Sequence, residues 1–402
     1  MVQPINMLTK AQALTPTLSH LRRTIHMNPE LGFTLPKTTT LVSKTLHDLG
    51  IEHETGIGKS GIVAHLGNGD GPGSGRVIGI RADMDALPIQ EANDVPYKSQ
   101  IPGRMHACGH DAHTTMLLGV AMLLKEENFN GEIRLLFQPS EEVADEEGLS
   151  GAPRMIDDGA LRGVDAVIAL HVDGSTEVGK IRCDSGIVSA NVDTIFAKII
   201  GRGGHGAFPH ASRDPIFMTA PILTALHGIV SRWVNPLKPA VVTVGRLAGG
   251  SASNIIPQTV EMDITLRSMD DEVRELLVRE VENALAISRN LGGDYEIRIE
   301  RGYPSMINDP KVAGWLEQTA DDLLGSGSNL GFDLGMGAED FAFMTRLAPG
   351  AMFSLGTKPA NAPPRHLHAP DFDLDENALP IGAAILAETA LRFVRGEIAN
   401  LE

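Results

Sequence analysis

The apolar positions of this chain follow two rhythms. In the first, short continuous apolar runs at 76–81, 132–137 and 165–170 are separated by longer stretches with 3.6-residue spacing. Runs of that length, bounded by turn residues, read as buried strands, and the stretches between them as helices. Helices are predicted at 9–26, stopped by Asn28-Pro29, and at 37–49, stopped by Gly50. Beyond residue 113, Met116, Leu117, Val120, Leu123 and Leu124 recur at helical spacing and predict a helix with one buried face. Near Gly186 the rhythm changes. Strands at 189–200, 240–247, 259–267 and 294–300 enclose helices at 215–234 and 270–291, the βαββαβ order of a ferredoxin-like unit. The first rhythm then returns, with a helix at 310–324, a strand at 351–355 and a helix at 376–395. The expected architecture is α/β. A discontinuous domain, residues 1–187 and 302–402, carries a mostly parallel sheet with helices on both faces. An inserted ferredoxin-like α+β domain occupies 188–301.

The residues just past each apolar run are more informative than the runs themselves. Asp83 and Asp85 lie beyond the first, Gln138-Pro139-Ser140-Glu141-Glu142 closes the second, and His171 closes the third. Ligands of open α/β sheets bind beyond the carboxyl ends of the strands, so these groups are expected to converge on one edge. The stretch Met105-His106-Ala107-Cys108-Gly109-His110-Asp111-Ala112-His113 runs into the helix with Met116. Cys108 and His110, two apart, would diverge on a helix, which places them in the turn before it. A thiolate and an imidazole aimed at one point suit a metal ion. Adjacent Glu141 and Glu142 must diverge. One can bind a metal while the other reaches the water to be activated, as metal-assisted hydrolysis requires. Each group also has an ordinary explanation. Cys108 could be a small core residue, Asp83 and Asp85 turn or capping residues, and His171 a satisfied core histidine. Glu141 and Glu142 could be part of a solvated acidic loop, and His366 and His368 exposed residues of a Pro-rich one. Taken together, these explanations require a run of coincidences.

Composition narrows the class. The 402 residues exceed one ordinary core, and 42% hydrophobic with 21% charged residues is usual for a globular protein. A net charge of −17 without a basic run argues against nucleic acid or an anionic membrane as partner. Two cysteines, Cys108 and Cys183, make no disulfide framework and fit a reducing compartment. The opening residues lack the order of a signal peptide, and no apolar run approaches the ~18 residues of a membrane span. A cytoplasmic location is expected.

Arg-Ala-Asp-Met-Asp-Ala-Leu-Pro-Ile (81–89), His-Ala-Cys-Gly-His-Asp-Ala-His (106–113), Gln-Pro-Ser-Glu-Glu (138–142) and Ala-Leu-His-Val (169–172) occur in that order. Gly-Gly-His-Gly-Ala-Phe-Pro-His (203–210), Ser-Asn-Ile-Ile-Pro (253–257), Gly-Ala-Glu-Asp-Phe (337–341) and Leu-His-Ala-Pro-Asp-Phe-Asp (367–373) come after them. This series resembles the metal-dependent amidohydrolases related to hippurate hydrolase, aminoacylase, auxin-conjugate hydrolases and bacterial carboxypeptidases, over nearly the whole chain. The resemblance implies two divalent ions (Zn, Mn, Ni or Co) held by Cys108, His110, Glu142, His171 and His368, with Cys108 bridging. It implies Glu141 as general base toward a metal-activated water, and Asp85 or Asp83 orienting a ligand from behind. The inserted domain resembles a lid and dimerisation domain in which His205 stabilises the oxyanion and Asn254 and Arg267 grip a substrate carboxylate. The implied reaction is hydrolysis of an N-acyl-amino acid by a homodimer or higher homo-oligomer. A carboxypeptidase acting on short peptides is the alternative, and a non-catalytic metal or peptide binder a remote one. The chain departs from many relatives at Thr34-Leu35, at Asp173-Gly174 and in the acidic loop 143–151, the last two bearing on acyl preference.

Overall fold

The computed structural model describes residues 6–67, 75–332 and 335–398. Two compact units divide the chain. The first comprises Met1–Val188, Ile307–Asp333 and Asp340–Glu402; the second comprises Ser189–Met306 with Leu334–Glu339.

Among the described residues, the first unit is built on a seven-stranded sheet. Its order is Glu52–Ile57, Gly61–Leu66, Gly131–Gln138, Arg76–Asp83, Ala166–Glu177, Gly350–Lys358 and Ile181–Arg182. The four strands from Gly131–Gln138 to Gly350–Lys358 are parallel, and the outer pairings are antiparallel. These central strands read as continuous apolar runs because both faces are covered. Ile78, Ile80, Ile133, Leu135, Ile168, Leu170, Ala351 and Phe353 alternate onto one face and join the main core. There they meet the helices Thr15–His26, His110–Leu124, Pro310–Leu324 and Ala378–Arg395. Leu136, Val167, Ala169 and Met352 are buried on the other, beneath the short helices Gly151–Asp157 and Phe341–Thr345. Register sets Asp83 opposite Gln138 and Arg81 opposite Ala169, so the functional strand ends share one edge.

The second unit is a four-stranded antiparallel sheet in the order Ala240–Gly249, Thr259–Ser268, Asn191–Ile200, Asp294–Arg301. Asn191–Ile200 buries every second residue, the signature of a sheet covered on one face. Ile195, Ile199, Met262 and Ile264 meet Ile222, Leu226, Leu277 and Val281 from helices Pro215–Trp233 and Asp271–Leu285 in a core of its own. Leu334–Glu339 joins this unit through the Gly337 carbonyl, which accepts from the Ala190 N–H at 2.8 Å.

Several boundaries differ from the sequence pattern. The helix expected at 9–26 is two, Met7–Ala13 and Thr15–His26, because Pro16 lacks an N–H and begins a new first turn. The one expected at 270–291 stops at Leu285 and resumes as Ile287–Asn290. His110–Leu124 is buried on all sides except at Met122, not along one face, because the sheet and four other helices, Met7–Ala13, Thr15–His26, Pro36–Asp48 and Ala378–Arg395, surround it. No helix among the described residues is long and apolar enough to cross a membrane.

Candidate metal centre

The turn before His110–Leu124 is set by Gly109, whose φ of +85° is a left-handed conformation. A Cβ there would lie 2.4 Å from Val172 Cγ2, so only glycine lets the turn pack against the strand Ala166–Glu177, in which His171 lies mid-strand and does not close it as the apolar run implied. Cys108 sits in the turn, as its spacing implied, while His110 is already the first helical residue. The Cys108 Sγ lies 3.4 Å from His171 Nε2. His171 Nδ1 donates to the Val172 carbonyl at 2.8 Å, which fixes the tautomer and leaves the Nε2 lone pair facing the thiol.

Glu141 and Glu142 leave the next strand through a strained turn. Ser140 adopts φ +48°, rare for a residue with a side chain, and is held by its Oγ donating to the Val143 carbonyl at 2.6 Å. Asp85, 1% exposed, accepts the Glu141 N–H at 2.9 Å and the Glu142 N–H at 3.1 Å, one on each carboxylate oxygen. His368 also has a positive φ, +61°. Its N–H donates to the Ala107 carbonyl at 2.8 Å, and its Nε2 lies 3.3 Å from Glu142 Oε1.

These placements bring Cys108, His110 and His171 together, and Cys108, Glu142 and His368, and His110, Glu141 and Glu142. Within each group the ligand atoms lie within 4.8 Å of one another, and Cys108 belongs to two of them. His366 joins none of these groups. Asp83 and His113 also approach His110, but their atoms are committed elsewhere. Asp83 Oδ1 accepts from His113 Nδ1 at 2.6 Å, and His113 Nε2 accepts the Val172 N–H at 2.9 Å. His113 is therefore neutral, its pKa pulled down to about 4, chiefly by burial. It links the end of Arg76–Asp83 to the middle of Ala166–Glu177 and is the residue of the 106–113 motif whose role spacing alone did not reveal. Arg81 extends the link, donating to Asp83 Oδ2 at 2.7 Å, Gln138 Oε1 at 2.9 Å and Asp340 Oδ1 at 2.8 Å.

The side chains fit a cation. His110 is fully buried, 3.4 Å from Asp85 Oδ1 and 3.6 Å from Asp83 Oδ2, yet neither ring nitrogen has a hydrogen-bond partner. Glu142 Oε1, also buried, has His368 Nε2 3.3 Å away but no well-formed hydrogen bond among the described residues. Buried polar atoms left unpaired cost about 1–3 kcal/mol each, more when charged. Burial pushes the Cys108 thiol well above its ordinary pKa; His110 opposes the rise, and Glu142 and Glu141 add to it. A divalent ion answers these demands together, because it pairs the orphaned atoms and stabilises a thiolate among carboxylates. Sulfur, imidazole and carboxylate donors suit Zn²⁺, Mn²⁺, Co²⁺ or Ni²⁺.

The remaining candidates lie in the second unit. His205 pairs with Ile255 across the short ladder Gly204–His205 and Ile255–Ile256, and the Gly206 N–H donates to the Asn254 carbonyl at 2.8 Å. His205 and Asn254 are thus neighbours, both exposed. His205 Nδ1 accepts the Ala207 N–H at 3.0 Å, which puts the ring proton on Nε2. Arg267 stands on Thr259–Ser268, and its Nη1 donates to the Met336 carbonyl at 2.7 Å.

The sequence model of peptidase family M20/M25/M40 matches residues 79–392. The thermostable carboxypeptidase 2 of Saccharolobus solfataricus is 39% identical over 383 residues, 93% of this chain and 94% of its own. The N-acetyl-L-cysteine deacetylase of Bacillus subtilis is 37% identical over 403 residues, 97% of this chain and 90% of its own. The crystal structure of a dinuclear metal-binding M20 peptidase from Bacillus subtilis superposes with a TM-score of 0.82 at 32% identity, covering 95% of this chain and 99% of that one. Matched over most of its length in sequence and fold, this chain belongs to peptidase family M20/M25/M40 and is a metal-dependent amidohydrolase.

Proposed function

We propose that this protein hydrolyses the amide bond of N-acyl-amino acids, releasing a carboxylic acid and an amino acid. The observation that carries the reading is the convergence of Cys108, His110, Glu142, His171 and His368 around unpaired buried atoms, with Glu141 on the same turn. These five residues would hold the divalent ions. The ions supply a Lewis acid that polarises the scissile carbonyl and acidifies water. Glu141 takes the proton from the attacking water and delivers it to the departing amine nitrogen. His205 donates its Nε2–H to the carbonyl oxygen as charge develops there. Asn254 and Arg267 hold the substrate carboxylate, and the Met336 carbonyl orients the guanidinium fork. The similarity to an N-acetyl-L-cysteine deacetylase supports the acyl-amino acid assignment. The similarity to a carboxypeptidase supports a second reading, cleavage of a C-terminal residue from short peptides. A homodimer formed through the second unit belongs to the same proposal. Ala240–Gly249 is an edge strand, and Ile216, Phe217, Trp233 and Leu247 are exposed.

The test is amine release from N-acyl-amino acids and dipeptides after chelation, then with Mn²⁺, Zn²⁺, Co²⁺ or Ni²⁺ added singly. Turnover lost on chelation and restored by a metal is expected, with blocked amino acids preferred over dipeptides. Glu141→Gln should abolish turnover while metal content stays at the wild-type level. A fully active Glu141→Gln protein would refute the mechanism.

A further inference from the structure

Behind the metal centre lies a second buried cluster in which no side chain is a candidate ligand. Its middle is Arg22, fully buried on helix Thr15–His26. Arg22 Nε donates to Asp111 Oδ2 at 2.7 Å, and Nη2 donates to Asp373 Oδ1 at 3.2 Å. Its Nη1 lies 3.6 Å from Glu376 Oε1, and the guanidinium rests over the Tyr97 ring, 5.0 Å from its centre. Three further groups brace the carboxylates, one of them Arg365, whose Nη1 lies 3.1 Å from Asp373 Oδ2. His26 Nδ1 is 2.7 Å from Asp111 Oδ2, and the Tyr97 hydroxyl donates to Asp373 Oδ2 at 3.0 Å.

The two gripped carboxylates are the informative feature. Asp111 is the residue after His110, in the first turn of its helix. Asp373 closes the motif that contains His368, and the same loop is tied down by Asn93 Nδ2 donating to the Phe372 carbonyl at 2.8 Å. Asp111 and Asp373 are far apart in sequence, and one planar guanidinium joins them. A fork of fixed geometry sets a distance that a flexible ammonium does not. Replacing a buried ion cluster by apolar residues often costs nothing in stability, so stability alone does not explain its presence.

We propose that Arg22 is a positioning residue of the metal centre: by gripping Asp111 and Asp373 together it sets the separation of His110 from His368. That separation governs the affinity of the more weakly held of the two ions. The inference rests on the metal-centre reading above.

Arg22→Lys keeps the charge and loses the fork. Chelated wild-type and variant proteins are titrated with Mn²⁺ in a calorimeter, well below the melting temperature of each, and kcat is followed against Mn²⁺ concentration. Wild type should take up two Mn²⁺. The variant should keep the tighter ion within about three-fold, lose at least ten-fold in affinity for the other, and recover kcat as Mn²⁺ is raised. A merely structural role lowers the melting temperature and leaves both affinities within two-fold, and that result overturns the proposal. Should Arg22→Lys fail to fold, Asp373→Ala removes one arm and leaves the Arg22–Asp111 pair. The same selective loss of one ion then supports the proposal, and equal loss of both, or of neither, overturns it. Wild type that binds none of Mn²⁺, Zn²⁺, Co²⁺ and Ni²⁺ would instead bring down the metal-centre reading itself, an outcome separate from any behaviour of the variants.

Discussion

Asp85→Asn tests the geometry of the general base without replacing a candidate ligand. In the folded protein each Asp85 oxygen accepts one backbone N–H, from Glu141 at 2.9 Å and from Glu142 at 3.1 Å, and the residue is 1% exposed. Asparagine keeps one acceptor and sets an NH₂ group against the other N–H. One charge-assisted hydrogen bond, about 1.5–3 kcal/mol, is lost, and a buried donor faces a donor. Destabilisation of about 2–3 kcal/mol is therefore expected. The effect on catalysis should be larger than stability alone conveys, since both glutamates hang from these two N–H groups. Losses on the order of 10–100-fold are typical when the support behind a metal ligand is removed. Urea unfolding followed by tryptophan fluorescence gives the first quantity, and kcat/KM on the best substrate of the panel gives the second. A stability change below about 0.5 kcal/mol together with kcat/KM within about three-fold of wild type would refute the argument, because surface-like changes of that size mean the carboxylate bears no strain.

Gly109→Ala forces a side chain into φ +85° and a Cβ to 2.4 Å from Val172 Cγ2. The expected cost is about 1–2 kcal/mol for the left-handed backbone and a further 1–3 kcal/mol for overpacking. Thermal melts with and without Mn²⁺ should show both a lower apo midpoint and a smaller metal-induced shift. Chelation of the wild type should lower its melting temperature, and titrated metal should restore it in proportion to the logarithm of concentration. Glu132 offers a pH test away from the centre. Hydrogen bonds from His65 and Arg134 outweigh the opposing burial and hold its pKa near about 2 against an ordinary 4.5. A depressed carboxylate stabilises the fold fully above its unfolded value and loses that contribution as pH falls through the folded one. The group is half-buried and screened, so the effect is on the order of 1 kcal/mol. Wild type should therefore lose more stability than Glu132→Gln between pH 5 and pH 2.5. Parallel acid-unfolding curves would contradict this.

The parts of the molecule legible in sequence are those where local chemistry decides. Apolar runs at 76–81, 132–137 and 165–170 became Arg76–Asp83, Gly131–Gln138 and Ala166–Glu177, because strands covered on both faces need unbroken apolar sequence. The convergence of Cys108, His110, Glu142, His171 and His368 was legible from motif order and from groups placed near one sheet edge, although His171 lies within Ala166–Glu177 and not at its end. Long-range partners were not legible. The hairpin Glu52–Ile57 and Gly61–Leu66 flanks the sheet antiparallel, yet Glu52–Ile57 is too polar to announce itself as a strand. The two-residue ladder that sets His205 beside Asn254 is below the length at which periodicity exists. Of two similar acids, sequence could not separate Asp83 from Asp85. In the structure Asp85 carries the Glu141 and Glu142 amides, and Asp83 holds His113. Nothing local distinguishes Arg22 from any other cation of an N-terminal helix, since its partners Asp111 and Asp373 lie far along the chain.

The place of Gly350–Lys358 bears on how the protein is made. This strand follows Ser189–Met306 in the chain, yet it lies inside the sheet, between Ala166–Glu177 and Ile181–Arg182. The terminal helix Ala378–Arg395 closes over the first helix, Met7–Ala13. The sheet of the first unit therefore stays open through most of synthesis, while Ser189–Met306 already carries its four strands and both helices. The inserted unit is therefore expected to fold before the sheet of its host is complete, a reversal of the N-to-C order usual for successive domains. Until residue 350 emerges, Ala166–Glu177 exposes an apolar, unpaired edge, which makes nascent or truncated chains the aggregation-prone form of this protein.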